Sequence, residues 1–288
     1  MANYRQFNSS DLSLKEKHQL LLASVAPRPI GFTASKSIDG YINLAPFSYH
    51  NAFSSNPPVV GISPAYSGRT GEPKNTLTNI LATKEFTLSV VTYDMVEQMN
   101  ICAAEYGSDV DEFKKSGLSR HPSKSISIPG VAESPLIMEC RFLQHIQFSS
   151  EPAGGNLLLG EIIYFHARDD IYNKAGQIDP KKVDQVSRMG LNWYSRANQG
   201  IFDLPAPKFL PIGVDTLPQV VKDSSYFTGK LLARLAYIES VPKHNVSIDC
   251  KERYANCNGD ELLKACANLL ENNQIEEAWQ VLHLGKII

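Results

Sequence analysis

Three short clusters in this chain carry hydroxyl, amide and ammonium groups where bulky packing residues would be expected. Thr33-Ala34-Ser35 ends an apolar run. Asn43-Leu44-Ala45-Pro46, with Ser48, follows the turn "KSIDG", and Lys74-Asn75-Thr76 follows a loop rich in Gly and Pro. Hydroxyls and backbone N–H groups at a strand end can hold an anion, because several donors converge with little steric bulk. A helix start offers unpaired N–H groups and partial positive charge; Lys74 would add a full charge there and Thr76 a hydroxyl. Arg69, in the preceding loop, is a weaker member of that group. An Asn side chain presents both a donor and an acceptor, which suits the edge of a heteroaromatic ring, and Ala45 and Ser48 would keep the surface beneath such a ring low. Each cluster alone also has an ordinary reading: a strand end capping its own turn, a helix cap beside a solvated lysine, an irregular edge strand. His50 could face a ring or be a hydrogen-bonded structural residue.

The elements that must position these groups are mostly strands. "SLKEKHQLLLAS" (13–24) reads as a lead-in helix ending before Pro27. "IGFTAS" and "YINLAPFS" flank a hairpin signal at Asp39-Gly40, with Pro46 suggesting a local break in pairing. "PPVVGIS" is a third strand, "TLTNILATK" a helix capped by Asn75 or Thr76, and "EFTLSVV" a fourth strand. Residues 94–106 have helical spacing. "LIMECRFLQHIQF" and "NLLLGEIIYFHARDD" are two further strands around the turn "SSEPAGG". Many short strands with helices inserted, not alternating with them, favour a barrel over a doubly wound sheet. From about residue 245 the texture changes to two short amphipathic helices around Asn272-Asn273, with Leu262, Cys266 and Leu269 on one face.

Bulk properties narrow the classes. A chain of 288 residues can bury a substantial core as one large domain or one domain with an appendage. Lys plus Arg 28 against Asp plus Glu 30 leaves −2, with no long run of one sign, so no electrostatic footprint for nucleic acid or an anionic membrane is expected. No apolar stretch has the length of a membrane span, and the first residues hold no apolar signal core. Five cysteines without tight pairing fit reduced thiols in a cytoplasm. Phosphate-loop, GxGxxG, GxSxG and HExxH signatures are absent, as is any metal-ligand spacing, and sequence order assembles no nucleophilic triad.

Six stretches in order, "PRPIGFTAS", "DGYINLAPFSYHNAFSSNPP", "KNT", "ESPLIMECRF", "LLLGEIIYFHARDDI" and "SRMGLNWYSR", resemble the flavin reductase-like family over roughly residues 20 to 240. That group includes flavoredoxin and the reductase components of two-component monooxygenases. The resemblance implies a mainly β fold with inserted helices, an FMN-binding split β-barrel of Greek-key type, spanning 1–244, with 245–288 a helical C-terminal extension. It implies a homodimer, FMN (or FAD) as cofactor, NAD(P)H as co-substrate, and a free flavin, oxygen or a protein as electron acceptor. It implies phosphate and ribityl contacts from Thr33, Ala34 and Ser35, and a phosphate element in Lys74, Asn75 and Thr76. The ring would be lined by Asn43, Leu44, Ala45 and Ser48, with Pro29 and Ile30 on the neighbouring strand. Hydride would pass from a stacked nicotinamide to the flavin, so that the protein supplies placement and the cofactor reactivity. Two departures stand out: Ala34 offers only its backbone N–H where relatives often have a hydroxyl, and Leu191-Asn192 replaces paired glycines. Rival readings are an electron-carrier flavoprotein without a nicotinamide site, an oxidase of the pyridoxamine phosphate oxidase type, and an interaction module that has lost flavin.

Overall fold

A computed structural model describes residues 3–243 and 245–287. The chain forms two compact units, Met1–Phe202 and Asp203–Ile288.

The first unit opens with α1 (Leu14–Ser24), which starts on a capping box between Ser13 and Glu16. The strands follow: β1 (Arg28–Pro29), β2 (Gly31–Lys36), β3 (Ile42–Phe47), β4 (His50–Ser55) and β5 (Pro58–Ile62). Next come α2 (Asn75–Thr83), β6 (Glu85–Val90), α3 (Val96–Ile101) and α4 (Glu112–Ser116). The unit is completed by β7 (Arg120–His121), β8 (Gly130–Val131), β9 (Leu136–Gln147), β10 (Asn156–Ala167), α5 (Pro180–Val183), β11 (Val186–Arg188) and β12 (Tyr194–Arg196). The expected hairpin is present: Ser37 N–H donates to Tyr41 O (2.8 Å) and Gly40 takes φ 91°, a value only glycine adopts cheaply.

Seven strands make one antiparallel sheet in the order β3-β2-β6-β9-β10-β5-β4. β3 and β4 lie at its two edges, yet only Ser48 and Tyr49 separate them in the chain. Two edges tied by so short a link cannot lie far apart, so the sheet curls into a barrel split along that seam. Inside, β10 alternates as its pleat requires: Asn156, Leu158, Gly160 and Ile162 are buried while their neighbours are half-exposed. Gly160 is fixed by packing, since a Cβ there would collide with the Phe86 ring. Phe86, Leu88, Val60, Ile62, Ile80 and Leu158 form the barrel core, each such side chain stabilising by about 2 kcal/mol. α2 packs over β2, placing its N-terminus beside β3.

The structure differs from the expected elements at several places, among them the edge strand β4 (His50–Ser55), which the sequence did not suggest. Pro46 does not break pairing; it sits in register opposite Phe32 on an edge strand, where a missing N–H costs no ladder bond. The helix expected over 94–106 stops at Ile101. The N-cap of α2 is Lys74, not Asn75 or Thr76.

The second unit is helical: α6 (Gln219–Asp223), α7 (Gly229–Leu235), α8 (Ile248–Arg253), α9 (Gly259–Glu271) and α10 (Ile275–Leu284). Leu262, Cys266 and Leu269 of α9 are buried as their spacing predicted, around the fully buried Trp279. The same core takes in Leu217, Val221, Leu231 and Leu235, so the boundary expected at 244/245 falls inside this unit and moves to 202/203. The short α6 and α7 bury apolar residues that have no other core to join. Among the described residues no helix is long and apolar enough to cross a membrane.

Candidate functional site

The seam of the barrel opens on a cavity of about 500 Å³, within the usual range of about 300–1,000 Å³ for small-molecule sites. β3 forms one wall. Its Leu44 side chain enters the core, so the alternation turns Asn43, Ala45 and Phe47 the other way. Being an edge strand, β3 also has outward N–H groups to satisfy: Leu44 N–H donates to the buried Glu112 carboxylate (3.0 Å), and Pro46 has none to satisfy. Burial pushes the Glu112 carboxyl up from its ordinary range, against the opposing pull of the Leu44 N–H.

The second wall is the start of α2. Asn75 and Thr76 open the helix, and their backbone N–H groups have no acceptor within it. Asn43 Nδ2 donates to Thr76 Oγ1 (2.9 Å), fastening strand to helix, and Asn75 Nδ2 donates to Tyr106 O (3.3 Å). Lys74 donates to one oxygen of Glu105, and Arg69 donates to the other at 3.1 Å. Lys74, then Arg69, holds the Glu105 carboxyl down at about 2. Tyr66, Ala65 and Ser67 continue the wall, and His18 and Leu22 of α1, with Arg28 and Arg188, close the far end.

Of the expected residues, Asn43, Ala45, Ser48, Lys74, Asn75 and Thr76 come together around this cavity. Pro29, Ile30, Thr33, Ala34, Ser35 and Leu44 do not line it. Thr33, Ala34 and Ser35, expected at the phosphate and ribityl chain, stand apart from this lining. They lie in β2, all three paired with β3 and Thr33 and Ala34 also with β6, with at most 1% of their surface exposed. Their polar groups are spent internally: Thr33 Oγ1 donates to Gly31 O (3.1 Å) and Ser35 Oγ accepts from Asn79 Nδ2 (3.2 Å). Both hydroxyls are buried, Thr33 in mid-strand and Ser35 next to the strand's last residue. Leu44 and Ile30 are likewise core residues, 0% and 4% exposed. His50 takes its structural alternative, with Nδ1 2.9 Å from Gly61 O and burial holding its pKa down.

Sequence reasoning passed over Arg28, Arg188, Glu105 and Glu112. Arg28 and Arg188 stood inside quoted motifs, but nothing local marked two cations 160 residues apart as strand partners; Glu105 and Glu112 lie in a polar stretch without pattern.

The donor set suits an anionic, ring-bearing ligand. One end supplies a lysine, an arginine and a helix start; the middle supplies the small Ala45 and the amide of Asn43.

Comparison with known proteins agrees with that chemistry. The profile of the flavin reductase like domain matches residues 23–197. An uncharacterised protein of Halalkalibacterium halodurans is 35% identical over 207 residues, covering 70% of this chain and 96% of its own length. The crystal structure of nitrilotriacetate monooxygenase component B from Bacillus cereus superposes with TM-score 0.66 at 29% identity, covering 71% of this chain and 100% of that one. The 2-nitrobenzoate 2-nitroreductase of Pseudomonas fluorescens gives TM-score 0.62 at 27% identity, over 72% and 98% of the two chains. The matched segment ends within five residues of the first unit, which leaves the helical unit outside the family domain.

Proposed function

The chain belongs to the flavin reductase-like family, and from that premise we propose that it is an NAD(P)H-dependent flavin oxidoreductase that holds FMN in the seam cavity. The observation that carries this reading is the junction of α2 with β3: Lys74, Asn75 and Thr76 stand at one end of the groove whose floor is Asn43, Ala45 and Ser48.

A flavin bound there supplies the hydride chemistry. The chain's own residues place and shield it. The N–H groups of Asn75 and Thr76, with the Lys74 ammonium and the Arg69 guanidinium, hold the phosphate. The Asn43 amide, oriented by its bond to Thr76, meets the ring edge or ribityl hydroxyls. Ala45 leaves room for the ring against β3, and Glu112 satisfies the outward N–H of that edge strand at Leu44. The retained Lys74–Thr76 cluster speaks against a module that has lost its flavin.

The partner we assign is a second copy of this chain. On the outer barrel face Phe53, Leu157 and Leu159 meet over Gly61, and Phe53 is 56% exposed. Leu143 and Ile146 of β9 are exposed as well. Such a contiguous apolar patch fits a homodimer interface, and light scattering of the purified protein reports the mass that decides it. Five unpaired cysteines, four of them buried, fit a reducing compartment such as the cytoplasm.

Anaerobic titration tests the reading. Purified protein carries a yellow flavin that bleaches on adding NADH or NADPH. Bleaching by dithionite but by neither nucleotide moves the assignment to an electron carrier, and protein that takes up no flavin overturns it.

A further inference from the structure

The far end of the cavity holds an arrangement that folding alone would select against. Arg28 of β1 and Arg188 of β11 are direct antiparallel partners, so two cationic side chains leave the strand pair at opposed positions. Like charges at directly opposed positions destabilise a sheet. Among the described residues neither arginine has a carboxylate partner.

The two side chains are nevertheless held firmly. Arg28 is only 4% exposed. Its guanidinium donates to three main-chain carbonyls, Leu22 O (2.9 Å), Val25 O (2.7 Å) and Met189 O (2.6 Å), and weakly to Ser48 Oγ (3.5 Å). Carbonyl oxygens satisfy donors without cancelling the charge. Arg188 donates to Leu191 O (2.5 Å) and lies with Cζ 4.5 Å from the centre of the Tyr194 ring. That leaves most of its fork free, and the side chain borders the cavity. Burial lowers the affinity of Arg28 for its proton, Tyr49 opposes this, and the charge on Arg188 adds to it.

The groups facing this end are Ser48, Tyr49, His18 and Leu22. Along β3 it is separated from the Asn43–Thr76 junction by the residues Leu44 to Phe47, about 13–16 Å of extended chain. One phosphate cannot serve both ends.

We propose that Arg28 and Arg188 form a second anion subsite in the cavity, which binds the carboxylate or phosphate of the molecule that exchanges electrons with the bound flavin. The proposal rests on the flavin reading for what fills the other end, while the anion site itself rests on the paired guanidiniums. Arg188, with free donors, makes the contact. Arg28, locked by carbonyls, contributes field and holds the hairpin that carries Arg188.

Equilibrium titration by calorimetry tests it. Protein saturated with FMN, so that the Lys74 end is filled, is titrated with sodium benzoate and, separately, with inorganic pyrophosphate. The wild type is expected to bind at least one of them. A response to benzoate alone identifies a carboxylate-bearing aromatic substrate, and a response to pyrophosphate a dinucleotide. Arg188→Gln is expected to weaken that anion about tenfold or more, and Arg188→Lys by less, with FMN affinity unchanged in both. Three outcomes overturn the subsite: no binding of either anion by the wild type, equal binding by Arg188→Gln, or an Arg188→Gln protein whose deficit lies in FMN affinity or in the flavin midpoint potential. Protein that takes up no FMN defeats the flavin reading instead. The anion titration is then run in a Lys74→Ala background, with loss on Arg188→Gln still expected and an unchanged heat still overturning the subsite.

Discussion

At the helix end of the cavity the cations are answered from within the chain, and at the strand end they are not. Lys74 and Arg69 each donate to Glu105, and all three side chains are substantially exposed, at 36%, 78% and 39%. Ion pairs of that kind contribute little stability, because water and salt screen them. Their consequence is occupancy: an incoming phosphate meets donors already engaged by a carboxylate. Arg28 and Arg188 are set into strands, engaged by carbonyls and uncancelled. The same charge type is thus exposed and paired with a carboxylate at one end, and at the other is fixed by carbonyls without a carboxylate partner among the described residues.

The sharpest way to break that contrast is to remove the rigid member. Arg28→Leu leaves three carbonyls without their donor in a nearly closed environment, a loss of about 3 kcal/mol if water reaches them poorly. That corresponds to a fall in melting temperature of roughly 6–12 °C. Removal of the repulsion with Arg188 works in the opposite direction. A scanning-calorimetry curve with no drop would show that the like-charge pair, and not the carbonyl clamp, governs this strand junction.

At the other end two substitutions should move FMN affinity in opposite directions. Lys74→Ala deletes a charge-assisted donor and leaves Glu105 facing the phosphate, so fluorescence titration should show about tenfold weaker binding or worse. Glu105→Gln frees both cations and should tighten binding about threefold to tenfold. Weaker binding by Glu105→Gln would mean that the carboxylate orients Lys74 and Arg69 for the ligand instead of competing with it. The carboxyl is held at about 2, a depressed value, so its ion pairs persist down through the ordinary carboxylate range and are lost only as pH falls toward 2. Between pH 6 and 8 the ratio of the two affinities should therefore stay flat.

How much of this was legible in the sequence follows from how local each feature is. α1, the Asp39-Gly40 hairpin and the α9–α10 pair depend on caps, turn residues and periodicity within a few positions, and they fold as read. Asn43–Ser48 was legible as an unusual strand because an edge strand beside a cavity needs small and polar residues. Thr33-Ala34-Ser35 shows a limit of reading letters, since a hydroxyl bonded inside a sheet has the same letters as one offered to a ligand, and the bonds to Gly31 and Asn79 are visible only in the fold. Arg28 and Arg188 could not be paired from sequence, since β1–β11 is a long-range ladder. The domain boundary did leave a trace. Pro205, Pro207, Pro211 and Pro218 lie just past residue 202, the composition of a linker, but drawing the resemblance out to about residue 240 hid it.

Ionic strength gives the smallest effect and the most direct comparison of the two ends. Raising salt from about 0.05 to 0.5 M shortens the screening length from roughly 14 to 4 Å. At the exposed end this weakens the phosphate contact, but it equally weakens the hold of Glu105 on Lys74 and Arg69. Wild-type FMN affinity should therefore fall only a few-fold, whereas Glu105→Gln, with no internal competitor to be screened, should lose more over the same range. The advantage of the variant would then shrink as salt rises. At the strand end Arg28 is almost wholly removed from solvent, so benzoate or pyrophosphate bound there should respond less steeply to salt than FMN does in Glu105→Gln. Equal salt slopes at the two ends would show that burial does not set them apart, and that the carbonyl clamp fixes the geometry of Arg28 without shielding its charge.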